Sequence, residues 1–182
     1  INLYTTLFHG DKNKAKWMVD NIVTNSWNDQ TDLGKPIQEC IFELKQAYPK
    51  YAPYIAAYWY CYKDMDGGEI PGIYDVMKDL KNRGYHLYCL TNWSHETFPI
   101  VKEVHARLFE LFDGIVVSGE EKMVKPNPEI YNLLLSRYNL KASESIFIDD
   151  RQRNVDGANQ VGIHGVLFKG SYELKEQLAQ YL

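Results

Sequence analysis

The sequence predicts an α/β fold: a parallel sheet with helical crossovers, joined to a small all-helical unit near the N-terminus. Two observations predict it. From residue 67 onward, helical stretches alternate four times with short apolar runs, the rhythm of parallel strands buried on both faces. Before residue 67 there are helical stripes and many aromatics, but no strand-like alternation bounded by turns. Gly67-Gly68 and Pro71-Gly72 mark a break between the parts. The predicted division is therefore 1–66 and 67–182.

The elements follow in order. Apolar residues at 15, 18, 19, 22 and 23 predict a helix over 15–25, and those at 37, 41, 44 and 48 predict another over 37–48. Residues 51–62 form a third apolar stretch, also read as helix. A helix over 73–83 is closed by Gly84. The apolar run 85–90 stops at Thr91-Asn92. A helix near 99–108 leads to the run 114–118, which ends on Ser118. A helix over 128–138 leads to 145–148, which stops at Asp149-Asp150. A helix over 154–161 leads to 165–168, and a helix within 171–181 closes the chain.

Composition excludes several classes. Of the 182 residues, 45% are hydrophobic, so a real core can form. The net charge is −4 and the basic residues are scattered, which argues against a nucleic-acid surface. No stretch approaches the roughly 18 apolar residues of a membrane span, and the start lacks the basic and apolar regions of a signal peptide. Cys40, Cys61 and Cys89 share no metal-type spacing. They read as free buried thiols in a reducing cytoplasm.

In open parallel sheets, ligands bind beyond the carboxyl ends of the strands. Thr91-Asn92, Ser118 and Asp149-Asp150 would all face one such crevice. Two adjacent carboxylates repel each other and need a cation or donors. Their oxygens suit Mg²⁺, which keeps several waters and shares coordination with phosphate. Lys125, in Lys125-Pro126-Asn127-Pro128-Glu129-Ile130-Tyr131, is a positioned point charge for a phosphoryl group. Pro126 and Pro128 stiffen its loop and start the next helix. Thr91 and Asn92 supply a hydroxyl, an amide and backbone N–H groups for phosphoryl oxygens. Helix capping would use the same geometry. Trp93 and Ser118 are pocket candidates, as are His95 and Phe98, whereas packing is the plainer role for the aromatics. His95 and His164 read as surface or satisfied histidines.

These residues resemble the haloacid dehalogenase-like (HAD) hydrolases. Leu90-Thr91-Asn92-Trp93-Ser94 is similar to the family's second motif, Ser118 with the Lys125 segment to its third, and Phe147-Ile148-Asp149-Asp150-Arg151, running on to Asn154-Val155 and Gly157-Ala158, to its fourth. The resemblance implies a Rossmann-like core with a helical cap, Mg²⁺, and hydrolysis of a small phosphorylated metabolite through an aspartyl-phosphate. It also implies that Thr91 and Asn92 bind the phosphoryl group, that Lys125 steadies its charge, and that Asp149 and Asp150 serve the metal. The doubled acid favours a phosphatase over a metal-free 2-haloacid dehalogenase.

One motif is absent. The family's first motif is an apolar strand ending in a nucleophilic aspartate ahead of the cap, and it has no counterpart after Ile1-Asn2-Leu3-Tyr4. Asp64-Met65-Asp66 has an Asp-x-Asp spelling but follows a helical stretch, so a solvated hinge turn accounts for it. The expectation is a nucleophile upstream of Ile1 and a core lacking its first strand. The alternative is a degenerate, non-catalytic module that binds a phosphorylated ligand.

Overall fold

The structure, a computed structural model, describes residues 1–181. The N-terminal part is helical throughout: α1 (Asn2–Leu7), α2 (Lys12–Asn21), α3 (Asn25–Asp32), α4 (Ile37–Ala47) and α5 (Ala52–Tyr60). Local chemistry sets their starts. The Asp11 carboxylate accepts the Lys14 N–H at 2.9 Å ahead of α2, and the Thr24 hydroxyl accepts the Trp27 N–H at 3.3 Å ahead of α3. The helices share one hydrophobic cluster, with Tyr4, Met18, Ile22, Trp27, Ile41 and Ile55 at its centre. Among the described residues, none beyond 62 belongs to it.

The second part runs α6 (Ile73–Asn82), β1 (Tyr88–Thr91), α7 (Phe98–Val104), α8 (Ala106–Phe109), β2 (Gly114–Val117), α9 (Ser118–Glu121), α10 (Pro128–Arg137), β3 (Ile146–Asp149), α11 (Gln152–Gln160), β4 (His164–Leu167) and α12 (Ser171–Leu178). Strand residues alternate between two helical layers. Phe147 packs with Leu90, Val116, Ile130 and Leu134 on the α10 side. Ile146 and Ile148 pack with Val76, Leu80 and Leu174 on the α6 and α12 side. This is a three-layer α/β/α core, the fold class predicted from the sequence.

The strands form two separate parallel pairs. β1 pairs with β2, placing Leu90 opposite Val116, and β3 pairs with β4, placing Ile148 opposite Val166. No ladder joins β1 to β3 among the described residues. Leu90 and Phe147 belong to one hydrophobic cluster, which holds the pairs together instead.

Two of the boundaries that differ from the sequence-based expectation have a local cause. β1 begins at Tyr88, because Leu87 is occupied in a turn: its N–H donates to Asp113 Oδ2 at 2.9 Å and its carbonyl accepts the Asp113 N–H at 2.7 Å. The helix expected over 99–108 breaks at His105, whose ring lies 2.7 Å from Asp66 Oδ2. That contact also places Asp64-Met65-Asp66 in a 3₁₀ turn and linker, away from any strand end.

Candidate active site

Three segments meet at the carboxyl ends of β1 and β3. Lys125 is their junction. Its Nζ donates to the Leu90 carbonyl of β1 at 2.7 Å and to Asp149 Oδ2 of β3 at 2.7 Å. The side chain thus spans the space between the two strand pairs and satisfies an edge carbonyl that no strand reaches. Both charged side chains are withdrawn from solvent, at 9% exposure for Lys125 and 7% for Asp149. An ammonium has three donors, so one remains for a ligand.

The neighbours fix this pair. The Asn92 side chain clamps the Lys125 backbone: its Nδ2 donates to the Lys125 carbonyl at 3.0 Å and its Oδ1 accepts the Lys125 N–H at 2.8 Å. Asp149 Oδ1 accepts the Arg151 N–H and Asn154 Nδ2, each at 2.9 Å. Burial alone would lift the Asp149 carboxyl. The Lys125 ammonium and these two donors outweigh it and hold the carboxyl below the ordinary aspartate range. Gly157 lets the Lys125 loop approach α11, since a Cβ there would lie 2.6 Å from the Pro126 carbonyl.

The helical unit roofs this floor. Gly34, after α3, has φ of +86° and sits where a Cβ would meet the Gly119 carbonyl at 2.8 Å. Glu96 Oε1 accepts the Ile37 N–H at the start of α4 at 2.6 Å. Between roof and floor lies a cavity of about 840 Å³. Thr91, Asn92, Trp93, Lys125, Asp149 and Asp150 line its lower part. Asn28, Asp29 and Asp32 of α3, with Tyr58, Trp59 and Tyr62, line its upper part. Burial, then the Asp29 charge, pushes the Asp32 carboxyl up to about 6, while Arg151 opposes the shift.

Six of the seven site residues read from the sequence therefore border one cavity. Ser118 does not, which corrects its reading as a pocket residue. It is fully buried, and its Oγ accepts the Trp93 N–H at 2.9 Å, because the first turn of α9 directs it beneath that loop. Asn92 is also placed differently from its reading as a phosphate ligand: its amide is taken up by the Lys125 backbone. His95 was read as satisfied or at the surface, yet it is half-buried and its Nδ1 has no partner among the described residues. Sequence reasoning missed Asp29, Asp32, Tyr62 and Arg153. The signal for the first two was present: Thr24 as an N-cap, followed by polar residues at 25, 28, 29 and 32 on one helical face.

The metal-binding capacity is partial. Among the described residues no group of three or more His, Cys, Asp and Glu side chains could hold a metal ion. Asp149 has both oxygens in use, whereas Asp150 is exposed and makes no hydrogen bond or ion pair among the described residues. Two adjacent carboxylates fit a hydrated Mg²⁺ that draws its remaining oxygens from water and phosphate. They do not form a closed site.

A three-layer α/β core, with a charged pair at its strand ends and a helical roof over it, defines a capped α/β protein with a site at its strand ends. The chain belongs to the haloacid dehalogenase-like hydrolases, whose family model matches residues 11–162. It is 35% identical over 105 residues to the sesquiterpene phosphatase astK of Aspergillus oryzae, covering 58% of this chain and 53% of that protein. It is 32% identical to a glyceraldehyde 3-phosphate phosphatase of Pyrococcus furiosus, covering 62% and 48%. The chain spans about half the length of these relatives. Among solved structures, a HAD family enzyme of Bacteroides thetaiotaomicron in a magnesium complex aligns with a TM-score of 0.73 at 21% identity, over 92% of this chain and 87% of that one. The same enzyme, as an Asp-to-Ala mutant, has been solved with magnesium and inorganic phosphate, with a TM-score of 0.68 at 18% identity over 93% and 84%. At these identities the likeness concerns the fold. No helix among the described residues is long and apolar enough to cross a membrane.

Proposed function

We propose that the protein is a Mg²⁺-dependent phosphatase acting on a small phosphorylated metabolite in the cytoplasm. The observation that carries the reading is Lys125, a buried ammonium held between Leu90 and Asp149 beneath the roof, with one donor free. A phosphoryl group gathers negative charge as it transfers, and a preorganised cation in a water-poor site stabilises that charge. Thr91, whose hydroxyl makes no hydrogen bond among the described residues, supplies a further donor to a phosphoryl oxygen. Asn92 keeps the Lys125 backbone in register. Asp150, beside Asp149, would hold Mg²⁺, which when bound supplies charge neutralisation at the phosphoryl oxygens. The phosphatase names of the sequence relatives support this reading, and three free thiols support a reducing compartment.

In this reading residues 1–66 are the cap and 67–182 the core. The strand that carries the nucleophilic aspartate lies outside these residues and occupies the space between β1 and β3, forming an aspartyl-phosphate. The unpaired facing edges of those strands support that placement.

The test is release of inorganic phosphate from p-nitrophenyl phosphate by the full-length protein. Turnover that chelator abolishes and Mg²⁺ restores is the expected outcome. No turnover would leave the non-catalytic binding module as the better account. Halide release from a 2-haloacid in excess chelator would favour dehalogenation instead.

A further inference from the structure

The phosphatase reading leaves the alcohol side of the ester unassigned, and the roof of the cavity bears on it. Asp32 is half-buried and has no hydrogen-bond or ion-pair partner among the described residues. A withdrawn carboxylate without donors is costly to keep. Asp29 lies one turn earlier on the same face of α3 and lines the same cavity. The Tyr58 hydroxyl donates to Asn28 Oδ1 at 3.2 Å, which leaves the Asn28 amide N–H groups available. Trp59, only 8% exposed, also lines the cavity, and its indole N–H has no acceptor among the described residues. The roof thus offers the unmet Asp32 acceptor and the Asn28 amide donors, whereas the Trp59 indole N–H is itself enclosed.

Charge and shape narrow the choice. The roof contributes carboxylates and no basic side chain, so a second phosphate or a carboxylate on the leaving group would meet Asp29 and Asp32. Arg151 and Arg153 line the opposite side, so a cationic group would meet them as well as Lys125. The rings do not form a box around a cation. Tyr58, Trp59, Tyr62 and Trp93 pack against one another at centroid distances of 4.9, 5.7 and 6.3 Å, giving one continuous wall. An aromatic wall beside unpaired carboxylates and amides suits a neutral carbon skeleton that carries several hydroxyls. The cavity volume lies in the range of small-molecule sites.

We propose that the substrate is the monophosphate of a neutral polyhydroxylated compound, a sugar or polyol, and that Asp32 is the specificity residue. Its carboxylate accepts the hydroxyls of the leaving group and turns away a second anionic group. The proposal rests on the phosphoryl-transfer reading of the Lys125 floor.

The experiment compares kcat/KM of the full-length protein, with Mg²⁺, across five esters: a hexose or pentitol monophosphate, phosphoglycolate, phosphocholine, an alkyl phosphate and p-nitrophenyl phosphate. The sugar or polyol ester should lead each of the others by about tenfold or more, in the range one set of polar contacts provides. Asp32→Leu should cut its lead over p-nitrophenyl phosphate by tenfold or more, mainly through KM. Asp32→Asn, which keeps the shape and a hydrogen-bonding oxygen, should retain most of that lead while phosphoglycolate gains. A lead for phosphoglycolate, phosphocholine or the alkyl ester would overturn the proposal. So would a lead for the polyol ester that neither variant moves. Turnover of p-nitrophenyl phosphate without a polyol preference overturns this inference alone, whereas no turnover of any ester overturns the phosphatase reading and this proposal with it.

Discussion

The Lys125–Asp149 pair on the floor and the Asp32 carboxylate on the roof differ in how completely they are satisfied. On the floor, Lys125, Asp149 and Asn92 close a network in which both Asp149 oxygens, both Asn92 side-chain groups and two Lys125 donors are engaged. On the roof, Asp32 and the Trp59 indole stand without partners among the described residues. A closed network holds its geometry before any ligand arrives, and preorganisation is what charge stabilisation in a reaction requires. An acceptor left open at the cavity wall, such as Asp32, waits for a ligand to complete it, as discrimination between ligands requires.

Lys125→Met tests the floor with the largest expected effect. It strands Asp149 as a buried, uncompensated charge, which costs about 3–5 kcal/mol of stability, and it should lower turnover by about 10²–10³-fold. The double variant Lys125→Met/Asp149→Asn should recover much of the stability and none of the activity. Chemical denaturation and phosphate-release kinetics would measure the two effects. Full recovery of activity in the double variant would remove Lys125 from the chemistry. Asn92→Ala should act more mildly. It leaves the Lys125 N–H and carbonyl without their side-chain partners, at about 1–3 kcal/mol, and lets the ammonium shift, at a cost of up to about 10²-fold in kcat/KM. An unchanged kcat with a raised KM would instead make Asn92 a direct phosphate ligand.

The floor was largely legible in the sequence and the roof was not, for a physical reason. Lys125, Thr91 and Asp149 announce themselves because a strand end is a local event: an apolar run stops, and the next polar residues must lie at the sheet's carboxyl edge. What each does there depends on partners far along the chain. Asn92 reads as a phosphate ligand until Lys125, 33 positions away, takes its amide. Ser118 reads as a pocket residue until the first turn of α9 directs its hydroxyl to Trp93. The roof helix α3 buries only Trp27 and Thr31, too few for an apolar stripe, so neither the helix nor the acids on its open face stood out. The separation of the strand pairs is invisible to local pattern, because it depends on which edges meet.

Ser118→Ala sharpens the contrast at smaller scale. It should cost about 1 kcal/mol, since the half-buried Trp93 N–H loses its acceptor, and leave KM unaltered. A KM shift without loss of stability would return Ser118 to the pocket.

A small effect on stability concerns the roof. The Asp32 carboxyl has its folded value raised to about 6 from an ordinary 3.8, so the folded chain holds the proton more tightly than the unfolded one. Its contribution to stability is fully present below the ordinary value and is lost as pH rises through about 6. Asparagine has the same shape and no such dependence. Asp32→Asn should therefore match the parent protein in Tm near pH 4 and exceed it above pH 7. With solvent screening of this half-buried group, the gain is roughly 1 kcal/mol, or about 2–4 °C for a chain of this size. Thermal unfolding at pH 4 and pH 8 reads the difference. A gain equal at both values would mean that packing, not charge, distinguishes the variant, and the roof carboxylate would then carry no strain for a ligand to relieve. A gain confined to high pH, in a variant that also loses its rejection of anionic esters, would show stability given up at the roof for discrimination.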